Sequence, residues 1–302
     1  MKTFKTILAV AVAAMAFVGC AKEQNVELNE KVTMTYSVSL DSASGTRADF
    51  DGSKANELVY AAYLKGSNDT YSDAPVATGT AAVSNGSATV NIELLKGQQY
   101  LVTFFAYNNA DANKWWTLNN NILTFDHSKV TLNSDVNDVF VGKTETQSVT
   151  LKRPLALMNL AIKKTHLVNA ENLGMVKANT TFTAQFNEIA TQYDLKAGNR
   201  VNTTTENRSF TVTGSNLVED GDYFTIGKLL ILGGKNVKLD LTVTCSSLPV
   251  QTVYSGLISN DVPAKANFKT NIKLNTLLTD TPEYSVTISA GFTNPDEEVV
   301  IP

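Results

Sequence analysis

Residues 31–40 alternate apolar and polar side chains without a break, and this pattern constrains the fold more than any other feature of the chain. The apolar set is Val32, Met34, Tyr36, Val38 and Leu40, and the positions between them carry threonine or serine. Successive side chains of a strand point to opposite faces, so the pattern predicts a β-strand with one buried face. The rest of the chain has to supply the core that covers this face.

The strand is followed at once by small and turn-forming residues, from Asp41 to Gly45, and then by Thr46-Arg47-Ala48. A basic residue in an exposed loop is a preferred site for a trypsin-like protease. Cutting between Arg47 and Ala48 would separate a core strand from the fold that uses it, which indicates a function for the loop at residues 41–48. From the residues alone, an ordinary solvated arginine is the favoured interpretation.

The chain begins with a secretory signal. Two lysines precede an apolar run from Ile7 to Val18, which is followed by Gly19-Cys20. The run is too short for a membrane-spanning helix, which needs about 20 residues. A cysteine at this position predicts a lipoprotein signal peptide over residues 1–19, lipidation of Cys20 and a polar tether over residues 20–30. An ordinary secretory signal with an incidental cysteine is the alternative.

The composition is that of a folded protein that does not bind nucleic acid. Of 302 residues, 18% are charged and 43% are hydrophobic, as in ordinary globular chains. The formal net charge is -4 and no basic run occurs, whereas nucleic-acid binding needs a clustered basic surface. Beyond the signal and tether, the chain is long enough for two domains with separate cores.

The sequence predicts neither an enzyme nor a cofactor or metal site. Its two histidines, His127 and His166, have no partner at a metal-binding spacing. Cys245 ends an apolar alternation, so we expect it to be a buried small residue. No serine-hydrolase, zinc-protease or phosphate-loop motif occurs.

Short strand candidates separated by polar turns continue to the end of the chain, a pattern typical of antiparallel β-sandwiches. We place a domain boundary near residue 147, which gives an N-terminal domain at 31–146 and a C-terminal domain at 147–302. A long strand candidate covers residues 148–163. Pro154 within it cannot donate a backbone hydrogen bond and therefore predicts an edge, a bulge or a strand start.

The C-terminal region mirrors the first strand. From residue 284, five apolar residues alternate with serine, threonine and glycine, and a short apolar tip follows an acidic break. The alternating residues are Tyr284, Val286, Ile288, Ala290 and Phe292, and the tip includes Val299 and Ile301. Both ends of the folded region are therefore predicted to be strands with one apolar face.

Four features occur in an order and spacing that resemble a known family. They are Cys20, the loop Gly45-Thr46-Arg47-Ala48, the segment Leu151-Lys152-Arg153-Pro154-Leu155-Ala156, and the segment from Val262 to Ile272. Together they resemble the fimbrillin-type lipoproteins of Bacteroides and relatives, and the resemblance runs through the whole chain. In the last segment, Ala266 and Lys269 stand where that family more commonly has arginine.

The resemblance implies two transthyretin-like antiparallel β-sandwich domains and a role as a subunit of a cell-surface fimbria that supports adhesion. It implies a precursor that is lipidated at Cys20, carried to the outer membrane and cut after Arg47 by a trypsin-like protease. The strand at 31–40 would then leave, and a strand from the 284–301 region of the next subunit would take its place. The implied partners are other fimbrial subunits, the protease, outer-membrane lipid and a ligand on a host or bacterial surface.

Several alternatives stay open. The chain could be an uncut anchor or accessory subunit, or a tip adhesin. It could also be a surface glycan-binding lipoprotein in which Trp115-Trp116 forms a stacking platform. Adjacent strand residues face opposite sides, so we expect one buried tryptophan and one at the rim. The C-terminal strand could equally be an internal strand of its own domain that is never donated.

Overall fold

The computed structural model describes residues 30–41, 53–110, 114–168, 176–276 and 283–290. These residues form eighteen strands joined by short turns, so the predicted all-β class is confirmed. No helix within these ranges is long and apolar enough to cross a membrane. The strands of the first half are β1 Lys31–Leu40, β2 Glu57–Leu64, β3 Ala77–Ala82, β4 Ser87–Leu95, β5 Tyr100–Tyr107, β6 Trp116–Asn119, β7 Ile122–Phe125, β8 Val139–Thr144 and β9 Ser148–Leu151.

The second half continues with nine further strands and one short helix, α1. The strands are β10 Leu155–Lys163, β11 Thr180–Asp194, β12 Asn199–Thr213, β13 Val218–Asp220, β14 Tyr223–Leu232, β15 Val237–Cys245, β16 Thr252–Val262, β17 Phe268–Thr276 and β18 Glu283–Ala290. Helix α1 spans Thr165–Val168, and single 3-10 turns occur at His127–Lys129, Lys177–Asn179 and Gly214–Asn216.

The first sandwich packs a three-stranded sheet, in the order β4-β1-β9, against a four-stranded sheet, in the order β3-β2-β5-β8. Its strand pairs are antiparallel except β1–β9, which is parallel. Alternate side chains of the two sheets meet in one apolar core. Tyr36, Phe104 and Phe140 are the largest side chains that are fully buried there.

The second sandwich packs the sheet β16-β15-β11-β7-β6, in which β12 also pairs with β11, against the sheet β13-β14-β10-β17-β18. Phe182 and Phe186 of β11 and Phe224 of β14 are fully buried in its core. Strand β10 is buried on both faces along nearly its whole length, as a central covered strand should be.

Two segments connect the sandwiches across residue 147. The β6–β7 hairpin, which precedes this position, pairs with β11 of the second sandwich. Strand β9, which follows it, pairs with β1 of the first. Trp116 of the hairpin packs edge-on against Phe105 and Tyr107 of β5, with ring centroids 4.5 and 4.7 Å apart. The two cores are therefore joined by aromatic contacts, and the boundary near residue 147 stays a prediction.

The single long strand predicted at residues 148–163 is wrong, because β9 and β10 belong to different sandwiches. The extended strand is interrupted at Arg153-Pro154, directly before β10 begins. Pro154 has no N–H to donate, and its carbonyl accepts a hydrogen bond from the Gly233 N–H at 2.9 Å. Of the three interpretations open for Pro154, the strand start is the one observed.

Candidate functional site

Strand β1 fills a slot between two strands that do not pair with each other. It is antiparallel to β4 along nine positions and parallel to β9 along four. Each strand of a sheet presents a row of N–H and C=O groups along its edge. Removal of β1 would therefore leave the edges of β4 and β9 without hydrogen-bonding partners on the two sides of the empty slot.

The buried face of β1 is the apolar face predicted from its sequence, and its burial deepens toward the C-terminal end. Tyr36, Val38 and Leu40 are 2%, 3% and 7% exposed, whereas Val32 and Met34 are half-buried. The intervening threonine and serine side chains are exposed. The second half of the strand is thus the part that anchors it in the core.

Tyr36 is the largest side chain that β1 contributes to this core. Its ring lies 6.1 Å, centroid to centroid, from the ring of Phe104 on the opposite sheet. Burial, with a smaller contribution from Tyr100, raises the pKa of Tyr36, so its hydroxyl stays neutral. Tyr36 therefore packs as a neutral, largely apolar side chain between the two sheets.

Hydrogen bonds also tie the C-terminal end of β1 to its neighbours. The backbone N–H of Leu40 donates to the Gly86 carbonyl at 2.8 Å, and that of Asp41 donates to the Leu151 carbonyl at 2.7 Å. On the exposed face, the Ser39 and Thr150 hydroxyls lie 3.1 Å apart. These contacts hold the C-terminal end of β1, immediately before the segment at residues 41–48 that the sequence predicts to be a loop.

Apolar burial gives β1 a substantial affinity for its slot. Burying a side chain of this size stabilises a fold by about 1.5–3 kcal/mol. The three deeply buried residues therefore contribute on the order of 5–9 kcal/mol before the cost of ordering the strand is subtracted. A cut after β1 would not by itself release the strand, and a competing strand would have to offer similar apolar contacts.

The described part of the predicted C-terminal donor segment is an edge strand of the second sandwich. Strand β18 pairs antiparallel with β17, and Val286 is 2% exposed within the core. Tyr284 packs against the same core and Ile288 is half-buried. Residues 283–290 thus form part of the second sandwich of their own chain.

Other predicted site positions lie outside the described residues: Cys20, Arg47, Ala48, Phe292, Val299 and Ile301. Ala290 is the last residue of β18, and its backbone pairs with Phe268. The predicted lipidation, processing and strand donation stay predictions.

The two adjacent tryptophans divide as the sequence predicted, with one buried and one at the rim. Trp115 is 1% exposed and its ring lies 4.7 Å from that of Phe125. Trp116 is half-buried, packs against β5, and has the Lys114 ammonium 5.3 Å from its ring centroid. Both rings are engaged in protein contacts, so the pair does not form an open stacking platform.

The two histidines and Cys245 make contacts within the fold. His127 is fully buried; its backbone N–H and Nδ1 contact the Glu206 carboxylate, and its Nε2 accepts a hydrogen bond from the Leu232 N–H at 3.0 Å. In the neutral ring, the proton therefore lies on Nδ1. The His166 Nε2 contacts the Asn275 carbonyl, and Cys245 is a free, buried thiol as predicted. No group of three His, Cys, Asp or Glu among the described residues could hold a metal ion.

A buried ion pair between the sandwiches was not singled out from the sequence. The Arg153 Nε contacts the Asp138 carboxylate oxygens at 2.7 and 3.0 Å, and both residues are at most 2% exposed. The guanidinium also lies 4.8 Å from the Phe140 ring centroid. Burial raises the pKa of Asp138 to about 6, although the Arg153 charge opposes this shift. The sequence signal was an arginine directly before a proline, at the start of the mainly apolar segment 155–162.

Several solved structures from Bacteroides species resemble this fold at low sequence identity. A "putative cell adhesion protein" of Bacteroides uniformis is 15% identical with a TM-score of 0.49, covering 86% of this chain and 98% of its own. One with the same description from Bacteroides eggerthii is 13% identical with a TM-score of 0.48, covering 85% and 96%. A "putative adhesin" of Bacteroides ovatus is 12% identical with a TM-score of 0.46, covering 91% and 98%.

Sequence comparison assigns the chain to a family. No curated protein sequence matches it significantly. A family profile matches residues 22–302, which is nearly everything beyond the predicted signal peptide. The chain therefore belongs to the family described as "Family of unknown function (DUF6562)".

Proposed function

We propose that this chain is a surface adhesion protein that acts as a structural subunit of a fimbria and is assembled by strand exchange at the β1 slot. The observation that carries the proposal is the position of β1, which is a central strand with a buried apolar face and is followed by the predicted loop that contains Arg47. A cut in that loop would leave β1 as a removable strand. The proposal requires no catalytic residue in this chain.

The chemistry of the slot supports the proposed strand exchange. An incoming strand gains backbone hydrogen bonds from β4 and β9, while its alternate apolar side chains replace Tyr36, Val38 and Leu40. The 284–301 region of another subunit carries such an alternation. Contacts of this kind join two different surfaces head to tail and do not close on themselves, so they generate filaments.

The proposal places the chain at the outer surface of the cell. Lipid on Cys20 would anchor the precursor in the outer membrane, because each buried CH₂ contributes about 0.8 kcal/mol. Its partners would be further subunits, a trypsin-like processing protease and a ligand on a host or bacterial surface. An uncut anchor, an accessory subunit or a tip adhesin would use the same fold and keep β1 in its slot.

Limited proteolysis tests the proposal directly. Protein comprising residues 21–302 is treated with limiting trypsin and followed by mass spectrometry and size-exclusion chromatography, with Arg47→Gln as the matched control. We expect an early cut after Arg47, loss of residues 21–47, and growth of oligomer ladders that the control does not form. A wild-type chain that is cut at Arg47 and stays monomeric contradicts strand exchange and favours an uncut anchor or accessory subunit.

A further inference from the structure

A crevice with a volume of about 450 Å³ lies where the two sandwiches meet. The first sandwich contributes residues from β8 and β9, and the second contributes the β11–β12 turn, the β14–β15 turn and the loop before β17. This volume falls within the range of about 300–1,000 Å³ that is usual for small-molecule sites. The crevice and the β1 slot share β9, but no residue of β1 lines the crevice.

Glycines and backbone contacts build the walls of the crevice. A Cβ on Gly233 would lie 2.6 Å from the Ala266 N, so only glycine allows these two turns to approach so closely. Across the crevice, the Lys143 Nζ donates to the carbonyls of Lys196 and Ala197 at 2.7 and 2.9 Å. These contacts hold β8 of one sandwich against the β11–β12 turn of the other.

The lining is strongly cationic, although the whole chain has a net charge of -4. Four basic side chains line the crevice, and no acidic residue is among the described residues that do so: Lys143, Lys152, Arg153 and Arg200. Asp138 offsets the charge of Arg153. Asp41 is outside this lining but lies nearby, because its Oδ2 is 3.5 Å from the Asn267 Nδ2. The local charge therefore favours an anionic ligand.

Two buried polar atoms at the crevice have no hydrogen-bond partner among the described residues. One is Nη1 of Arg200, which can only donate, and the other is Oδ1 of Asn267, which can only accept. Leaving such groups unpaired is costly, so a partner of matching chemistry would bind favourably. Sulfate or chloride, which carries no hydrogen-bond donor at neutral pH, would satisfy Arg200 and leave Asn267 without a donor.

We propose that the crevice binds an acidic saccharide, with the carboxylate of a uronic-acid-type sugar on Arg200 and a sugar hydroxyl donating to Asn267. Tyr193 and the apolar side chains of Val141, Val149 and Leu195 supply a surface for the C–H faces of the ring. A carboxylate accepts charge-assisted hydrogen bonds from a guanidinium in a planar, two-point geometry. The site uses the intact sandwiches and does not depend on strand exchange.

Calorimetric titration of the residue 21–302 protein with sodium glucuronate, glucose and sodium sulfate tests this proposal at low ionic strength. We expect glucuronate to bind about tenfold or more tightly than either other probe, because it alone offers both the carboxylate and the hydroxyl donors. Equal affinity for glucuronate and glucose, equal affinity for glucuronate and sulfate, or no binding of glucuronate would each overturn the proposal.

Variants locate the binding. Arg200→Gln should weaken glucuronate binding about tenfold and leave the weak glucose binding unchanged, since only the charge is lost. Lys152→Gln, at an exposed position on the rim, tests the charge again if Arg200→Gln fails to fold. Lys54→Gln, an equal change of charge at an exposed position outside the crevice, is the control. An effect of Lys54→Gln as large as that of Arg200→Gln would refute the location.

Discussion

Locking β1 to its neighbour should separate cleavage from assembly. Ser39 of β1 is paired in register with Thr150 of β9, and both side chains are exposed. Neighbouring strands lie about 4.7–4.9 Å apart, which is within the Cα separation that a disulfide spans. The double variant Ser39→Cys/Thr150→Cys is therefore expected to form a disulfide across the edge of the slot without displacing a core side chain.

The size of the stabilisation follows from the length of chain that the disulfide closes. Residues 39 and 150 enclose a loop of about 110 residues, for which the chain-entropy model gives roughly 4.7 kcal/mol. We expect oxidised, uncut protein to gain up to this amount in free energy of unfolding of the first sandwich. After a cut at Arg47, the same bond keeps β1 attached even when a competing strand is present.

The assay compares oxidised and reduced double variant after limiting trypsin, using a chain that begins at residue 21 so that Cys245 is the only other thiol. Oxidised protein should be cut after Arg47 and stay monomeric, and reduction should restore oligomer growth to the wild-type rate. The single variant Ser39→Cys should assemble under both conditions. If the oxidised double variant forms the same ladders as the wild type, β1 does not have to leave and the reasoning is wrong.

Further predictions concern the ion pair, the crevice and the C-terminus. Burial raises the pKa of Asp138 to about 6 from its ordinary value of 3.8. Protonation of this carboxyl therefore stabilises the fold fully below about pH 4, and the stabilisation is lost as the pH rises to about 6. The free energy of unfolding should thus fall by up to about 3 kcal/mol across this window, and urea titrations of Asp138→Asn should lack that fall. Gly233→Ala should lower the thermal midpoint by several degrees, because the added Cβ would collide with Ala266 backbone atoms. The control is Gly221→Ala, whose added Cβ meets nothing within 4 Å and which should therefore cost only the smaller strain of its positive φ. Equal losses in the two variants would contradict this prediction. A chain that ends after Ala290 should fail to assemble if the donor lies beyond β18, and normal assembly would place the donor within residues 284–290.

The sequence predicted strands most accurately where one face of the strand is buried and the other is exposed to solvent. The bounds of β1 agree with the structure to the residue, because its alternation is uninterrupted and turn residues follow it. Cys245 was interpreted correctly for the same reason, since it occupies the last inward position of β15. Periodicity reports local burial, and these strands are determined locally.

Pairing between distant segments was less accessible from the sequence. The sequence predicts one strand over residues 148–163, although β9 and β10 lie in different sandwiches and β9 is buried on one face only. The crevice is built from β8, the β11–β12 turn and the loop before β17, which are far apart along the chain. Neither feature has a local pattern, so only the tertiary arrangement brings these residues together.

The slot also constrains the direction of a donor strand. A donor that runs like β1 keeps nine antiparallel pairs with β4 and four parallel pairs with β9, whereas a reversed donor would have the opposite distribution. Antiparallel pairing is slightly more stable per residue, so the β1-like direction is favoured. Ser87 of β4 faces Ser39 near the C-terminal end of β1. In an experiment that mixes two variants, the Ser87→Cys chain should therefore form a disulfide with a cysteine placed near the C-terminal end of the donor strand. A disulfide with the N-terminal end of the donor instead would show that the donor enters in the reverse direction.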